Sequence, residues 1–320
     1  MDNNQLFKAI KGQRVLVIGD LMLDRYVHGR VDRYCPEDPK APILLQKSEE
    51  IVGGGAANVV ANLGSLRVTP VVIGTVGEDG DAKVLERILN QVGAQCDLCV
   101  DPSRPTISKT RLIKGTEYLM RWDCEETHQL DPWVEQDVVT RIKNHMPNMT
   151  AVILSDYAKG ILTPLVIRTV IDAARAQNIP VLVDPKSDDF SKYNGVDVVT
   201  PNLSELNKVQ PVKNPDNEED ILATARDILA ATDIGAMLVT RSEKGMVWVT
   251  HNQSVSVEAE AREVVEVSGA GDTVIATLAV CMAAGMDVKD AVLLANRAAA
   301  RAVERSGTTT VKPEDLEEVA

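Results

Sequence analysis

The sequence predicts an α/β fold, a mostly parallel sheet covered on both faces by helices. Three observations predict it. Short runs rich in β-branched residues alternate with longer segments of helical period. The runs are apolar nearly throughout, as strands buried on both faces require. Polar residues with chemical potential, among them Asp20, Lys186, Asn202, Glu205, Arg241 and Asp272, fall at or just after the ends of those runs, the edge where open α/β sheets bind ligands.

In chain order, strands are expected at 14–19, 71–74, 151–155, 181–184, 196–200 and 236–240. Helices are expected at 56–66, 82–92, 132–145, 164–177, 218–232, 272–284 and 288–303, where apolar residues recur at i, i+3 and i+4. The stretch 263–267 also reads as strand-like. Two segments break the alternation, at about 24–48 and 106–123. The second reads as a hairpin around Lys114-Gly115-Thr116. Both are expected to form a small β-lid over one end of the main sheet, inserted in one continuous α/β domain spanning 1–320.

Composition narrows the function. With 44% hydrophobic and 25% charged residues in 320, the chain can bury a sizeable core. Its 34 basic against 47 acidic residues give a net charge of −13, which repels nucleic-acid phosphates and anionic lipid. The five cysteines are odd in number and unevenly spaced, which suits a reducing compartment better than a disulfide framework. Cys96-x-x-Cys99 has no second pair and no nearby histidine, so it reads as two half-buried thiols rather than a zinc or redox site. The first residues show neither a basic nor an apolar export region. The apolar run 274–286 is shorter than the ~20 residues of a membrane span. A cytoplasmic location is expected, without nucleic-acid or membrane partners.

The most informative segment is Val267-Ser268-Gly269-Ala270-Gly271-Asp272-Thr273. A turn this small at a helix start brings backbone N–H groups together where the macrodipole also favours an anion. A plain phosphate cradle would not include a carboxylate, whereas phosphoryl transfer needs one to accept the proton of the attacking hydroxyl. The other reading of Asp272 is a helix cap. Gly53-Gly54-Gly55-Ala56-Ala57-Asn58 opens a second helix, where small residues admit a ligand and Asn58 offers donor and acceptor to a polyol. It lacks the spacing of a dinucleotide fingerprint, and no Walker A sequence is present. Asp20 could accept two sugar hydroxyls or cap a turn. Lys186 could meet a nucleotide phosphate as a point charge. Asn202 and Glu205 share a helix face, so they could meet Mg²⁺ through its waters or form a simple capping box.

These motifs occur in the order and approximate spacing of the ribokinase-like (PfkB) sugar kinases, which the chain resembles along essentially its full length. The Gly-Gly loop with Asn58, the Asn202-x-x-Glu205 element and Gly269-Ala270-Gly271-Asp272 carry the resemblance. Within that family, the segments 19–26, 154–160 (Leu-Ser-Asp-Tyr-Ala-Lys-Gly), 183–186 (Val-Asp-Pro-Lys), 200–205 and 239–246 are similar to those of kinases acting on D-glycero-D-manno-heptose 7-phosphate.

The resemblance implies ATP-dependent phosphorylation of that sugar's anomeric 1-hydroxyl in nucleotide-heptose (lipopolysaccharide core) biosynthesis. ATP is then co-substrate, Mg²⁺ accompanies it, and the β-lid pairs two copies in a homodimer. Asp272 would be the base, and the amides of Gly269, Ala270 and Gly271 the anion hole. Lys186, Asn202, Leu203, Ser204, Glu205, Arg241, Ser242, Gly245 and Asn296 would line the ATP site, with Asn202 and Glu205 organising the metal through water. Asp20, Gly54 and Asn58 would meet the sugar, and Arg33, Lys109, Arg111 and Arg121 its 7-phosphate. Such kinases are often fused to a nucleotidyltransferase; no His-x-Gly-His element occurs here, so a monofunctional form or an isolated domain is expected. Another sugar or sugar-phosphate kinase of the family, or a non-catalytic sugar-phosphate sensor of the same fold, is the alternative.

Overall fold

The computed structural model describes residues 10–261, 263–305, 307 and 309–316. Fifteen strands and eight α-helices follow one another among them. The strands are β1 (Arg14–Gly19), β2 (Leu21–Tyr34), β3 (Pro42–Gly55), β4 (Thr69–Ile73), β5 (Thr75–Val76), β6 (Gln95–Cys96), β7 (Cys99–Val100), β8 (Ile107–Lys114), β9 (Glu117–Cys124), β10 (Ala151–Ser155), β11 (Val181–Asp184), β12 (Val198–Val199), β13 (Ala236–Thr240), β14 (Met246–Val249) and β15 (Ser254–Val257). The helices are α1 (Ala56–Ser65), α2 (Gly80–Gln91), α3 (Pro132–His145), α4 (Pro164–Arg175), α5 (Leu203–Val209), α6 (Glu218–Ala231), α7 (Ala270–Ala283) and α8 (Val288–Val303).

The main sheet has nine strands in the order β15-β14-β13-β12-β11-β10-β1-β4-β6. It is parallel from β6 to β13 and antiparallel at β13–β14 and β14–β15. Strand β1 shows why the sheet needs two covers. Val15 and Val17 join the core formed with α1, α2, α7 and α8, while Leu16 and Ile18 join the one formed with α3, α4 and α6, because successive side chains point to opposite faces. Helix α7 is buried at every position from Asp272 to Cys281. Its sequence is accordingly apolar nearly all round, the composition of a core helix rather than a surface one.

A second sheet, β3-β2-β8-β9, stands apart from the first. The β2–β3 ribbon pairs from Leu21↔Gly55 to Tyr34↔Pro42, β2 runs parallel to β8, and β8–β9 is a hairpin turning at Gly115 (φ 62°). The ribbon is longer than the expected 24–48 because pairing continues to the first turn of α1, bringing the glycines of β3 beside the end of β1. The stretch 263–267, expected as a strand, is irregular. Val265 and Glu266 N–H donate to the Val303 carbonyl of α8 and the Val267 carbonyl accepts from Ala270 N–H, and Val264, Val265 and Val267 are exposed. β-branched residues without a neighbouring strand do not make a ladder. The edge hairpin β14–β15 is an addition to the expected sheet. Among the described residues, no helix is long and apolar enough to cross a membrane.

Candidate active site

The parallel strands deliver their carboxyl ends to one edge. Gly19, Ser155 and Asp184 lie side by side in register, so Asp20, Asp156–Lys159 and Lys186 emerge together. Helices α1 and α7 start at the same edge. Gly55 and Gly269 occupy their N-cap positions with φ of 57° and 81°, backbone angles that favour glycine.

Asp272 lies in the first turn of α7 and is 5% exposed. Its Oδ2 accepts from Asn58 Nδ2 at 2.7 Å and its Oδ1 from the Tyr157 hydroxyl at 3.1 Å. Burial pushes its pKa up to about 6; the Asn58 and Tyr157 hydrogen bonds and the Lys186 charge pull the other way, and Asp24 adds to the rise. Asn58 is held in turn by Asn62, whose Nδ2 donates to the Asn58 carbonyl at 3.0 Å and whose Oδ1 accepts from Thr273 at 3.1 Å. A buried carboxylate with oriented donors, ionised around neutrality, is equipped to act as a general base.

A cleft of about 470 Å³ opens from Asp272 across the sheet edge. Of the expected nucleotide residues, Lys186, Asn202, Glu205, Ser242, Gly245 and Asn296 line it, as do Gly269, Ala270 and Gly271 of the expected anion hole. A side chain built on Gly271 would meet open space, so the backbone there is accessible to an anion at a helix N-terminus. Lys186 Nζ lies 2.7 Å from Glu205 Oε1, 3.6 Å from Asp184 Oδ2 and 5.3 Å above the Tyr157 ring. Burial works against its charge, but Asp184 and Glu205 outweigh that and raise its pKa. Asp184 is pushed up to about 7 by burial, against the pull of Lys186.

Asn202 and Glu205 form a capping box: Glu205 N–H donates to Asn202 Oδ1 at 2.9 Å, and Asn202 N–H to Glu205 Oε2 at 2.8 Å. Both Glu205 oxygens are thus engaged within the protein. The pair suits contact with a metal's water shell rather than direct ligation, and the described residues contain no cluster of three His, Cys, Asp or Glu suited to a metal. Leu203, Ser204 and Arg241 do not line the cleft. Leu203 packs on the core, Ser204 is exposed on α5, and Arg241 pairs with Glu218 at 2.5 Å. Asn296 donates to the Glu258 carbonyl at 2.8 Å.

Asp20 is placed differently from its expected sugar-binding role. Its Oδ2 accepts the N–H groups of Tyr157 (2.8 Å) and Lys159 (3.0 Å), and its Oδ1 that of Ile161 (3.5 Å). At 3% exposure its oxygens face this loop, not the cleft, and burial lifts its pKa to about 6. Gly54 sits where a β-carbon would strike Asp24 Oδ2. Of the four lid cations, Lys109 pairs with Asp123 (3.3 Å) and Glu125 (3.2 Å), Arg111 with Asp24 (2.5 Å), and Arg121 with Asp123 (2.9 Å). Arg33 is exposed near the end of β2. Cys96 and Cys99 are free thiols pushed by burial to about 11 and about 12, too high for thiolate chemistry at neutral pH. Tyr157 and Asp184 are part of the site that motif reading left without a role.

A parallel sheet with a glycine turn and buried carboxylate at its carboxyl edge, and a second small sheet beside them, defines a sugar kinase of ribokinase-like fold. The pfkB family carbohydrate kinase model matches residues 13–315, and the chain belongs to that family. It is 41% identical over 305 residues to Bifunctional protein HldE of Yersinia enterocolitica (95% of this chain, 62% of that one) and 41% identical over 311 residues to its namesake in Granulibacter bethesdensis (95% and 64%). The chain thus spans less than two thirds of the length of these relatives. Solved structures of like fold include Arabidopsis thaliana ribokinase complexed with ribose and ATP (TM-score 0.73, 19% identity, 95% of this chain and 97% of that one). Escherichia coli phosphofructokinase-2 in complex with fructose-6-phosphate is another (0.75, 16%, 95% and 97%).

Proposed function

We propose that this sugar kinase transfers the γ-phosphoryl group of ATP to the anomeric 1-hydroxyl of D-glycero-D-manno-heptose 7-phosphate, giving the 1,7-bisphosphate for nucleotide-heptose synthesis in the cytoplasm. The observation that carries the chemistry is the buried Asp272 carboxylate, held at both oxygens beside the open backbone of Gly271. The heptose assignment is supported by the quoted segment similarities and by relatives about 40% identical over 95% of the chain.

In this reading Asp272 takes the proton of the sugar hydroxyl as it attacks phosphorus, and the amides of Gly269, Ala270 and Gly271 stabilise charge on the transferring group. Lys186 neutralises phosphate charge, and Val264, Val267, Ala299 and Val303 give the cleft an apolar wall for a base. Mg²⁺ bound with ATP would supply further charge neutralisation, its waters meeting Asn202 and Glu205. Asn58 contacts the sugar while orienting Asp272. The lid sheet closes over the sugar, and Arg33, Lys109, Arg111 and Arg121 are the candidates for its 7-phosphate. Edge strand β9 exposes Tyr118, Met120 and Trp122 at alternate positions, an apolar face suited to pairing two copies through the lid.

Three of the four lid cations are already paired with carboxylates, and this favours a second reading, a family member acting on an unphosphorylated sugar. ATP-to-ADP turnover with Mg²⁺ against the heptose phosphate, ribose, fructose 6-phosphate and a no-sugar blank decides between them. Selective turnover of the heptose phosphate supports the first reading. Selective turnover of another sugar removes the heptose assignment, and no turnover with any sugar favours a sensor.

A further inference from the structure

Tyr157 reaches Asp272 from a loop whose shape is fixed by a second buried carboxylate. Asp20, at the end of β1, accepts the N–H groups of Tyr157, Lys159 and Ile161. Asp156 completes the turn by accepting from Ala158 N–H at 2.8 Å, where the backbone adopts φ 56°. These bonds hold the loop in a conformation that aims the Tyr157 hydroxyl at Asp272 Oδ1, 3.1 Å away.

We infer that Tyr157 is a positioning residue for Asp272, with Asp20 fixing Tyr157, so that a relay from β1 through the 157–161 loop holds the carboxylate in orientation and in charge. The inference rests on the reading of Asp272 as the base. Asn58 occupies one carboxylate oxygen and Tyr157 the other. Each carboxylate oxygen offers two lone pairs, so the two donors leave sites for an incoming hydroxyl while removing the rotation of the Asp272 side chain. The Lys186 ammonium on the Tyr157 ring braces the phenol from the nucleotide side.

The groups facing Asp272 are Asn58 from α1, Tyr157 from the loop after β10, Asp184 and Lys186 from β11 and the loop after it, and Asp24 from β2. Asn58, Tyr157 and Lys186 favour its ionised form, as does its place in the first turn of α7, and Asp24 opposes it. Burial, and then Asp272 itself, keep the phenol protonated well above its ordinary range, so Tyr157 remains a donor wherever Asp272 is ionised.

The test is a carbon-13 NMR titration of aspartate carboxyls in the full chain without sugar, over about pH 4 to 9, with Asp272→Asn assigning the resonance. In Tyr157→Phe the Asp272 midpoint is expected to move up by roughly half a unit to one unit, the loss of one hydrogen bond to the charged form. The acid limb of kcat/KM should move with it, and the KM for ATP should change little. Asp20→Ala, which frees the loop, should shift the midpoint in the same direction. Replacing tyrosine by 3-fluorotyrosine, a stronger donor in a nearly unchanged fold, should shift it down. A folded Tyr157→Phe with the wild-type midpoint, or fluorotyrosine protein without a shift, overturns the inference. If the wild type turns over no sugar while the midpoint still moves, the reaction assigned above fails and the relation of Tyr157 to Asp272 stands.

Discussion

Asn58 Nδ2 and Asp272 Oδ2 meet at 2.7 Å across 214 residues of sequence, joining the first turns of two helices that begin at the same sheet edge. The contact ties the glycine-rich opening of α1 to the glycine turn of α7. It makes the orientation of one buried carboxylate a property of the whole sheet edge rather than of a local turn.

The first prediction concerns charge and stability together. Asp272→Asn should lower turnover by roughly 10²–10⁴ through loss of the base. The wild-type carboxyl has a folded pKa of about 6, above its ordinary 3.8, so its contribution to stability is fully present below about pH 4 and is lost as pH rises through about 6. The Asn variant lacks that loss. Its thermal midpoint should exceed that of the wild type at pH near 8 and approach it at pH near 4, as differential scanning calorimetry would show.

The second is the pH dependence of the reaction. Below about pH 6, where Asp272 holds its proton, kcat/KM should fall about tenfold per unit. A rate profile that stays flat to pH near 4.5 would assign proton removal to another group.

The third concerns Gly271. A methyl group there meets open space within the protein, and alanine is the better helix former. Gly271→Ala should therefore fold with an unchanged or higher Tm. The same methyl intrudes where phosphate oxygens would approach the backbone, so activity should drop by about tenfold or more. Tm and turnover measured on one preparation check both halves.

The fourth concerns Lys186, which lies between Glu205 and Asp184. Lys186→Met should raise the KM for ATP by at least about tenfold, because a charge-assisted phosphate contact is lost, while leaving the sugar KM much less affected. It also leaves two carboxylates without their shared cation, so Asp184, already at about 7, should titrate higher still.

The central strands were legible because each is a continuous apolar run with both faces covered; β1, β10, β11 and β13 begin and end where the runs do. The ends of β11 and β12 and the N-terminus of α7 then place Lys186, Glu205 and Asp272 along one cleft. Partner-dependent features were not legible. Residues 263–267 have β-branched composition but no neighbouring strand, whereas β14 and β15 are short and acquire their structure from pairing at the sheet edge. Asp20 shows the same limit in the site. Its position at a strand end could be read, but what its oxygens face depends on the backbone of a loop some 140 residues onward. Tyr157, a single aromatic in a polar loop, carries no pattern that points 115 residues ahead to Asp272.

The most direct measurement is phosphorus-31 NMR of the product formed by the purified chain from ATP, Mg²⁺ and D-glycero-D-manno-heptose 7-phosphate. A new resonance coupled to the anomeric proton is expected, with the 7-phosphate retained, and it should be lost with Asp272→Asn. Phosphate appearing on a different carbon, no transfer at all, or wild-type product formation by a folded Asp272→Asn would contradict the proposed reaction.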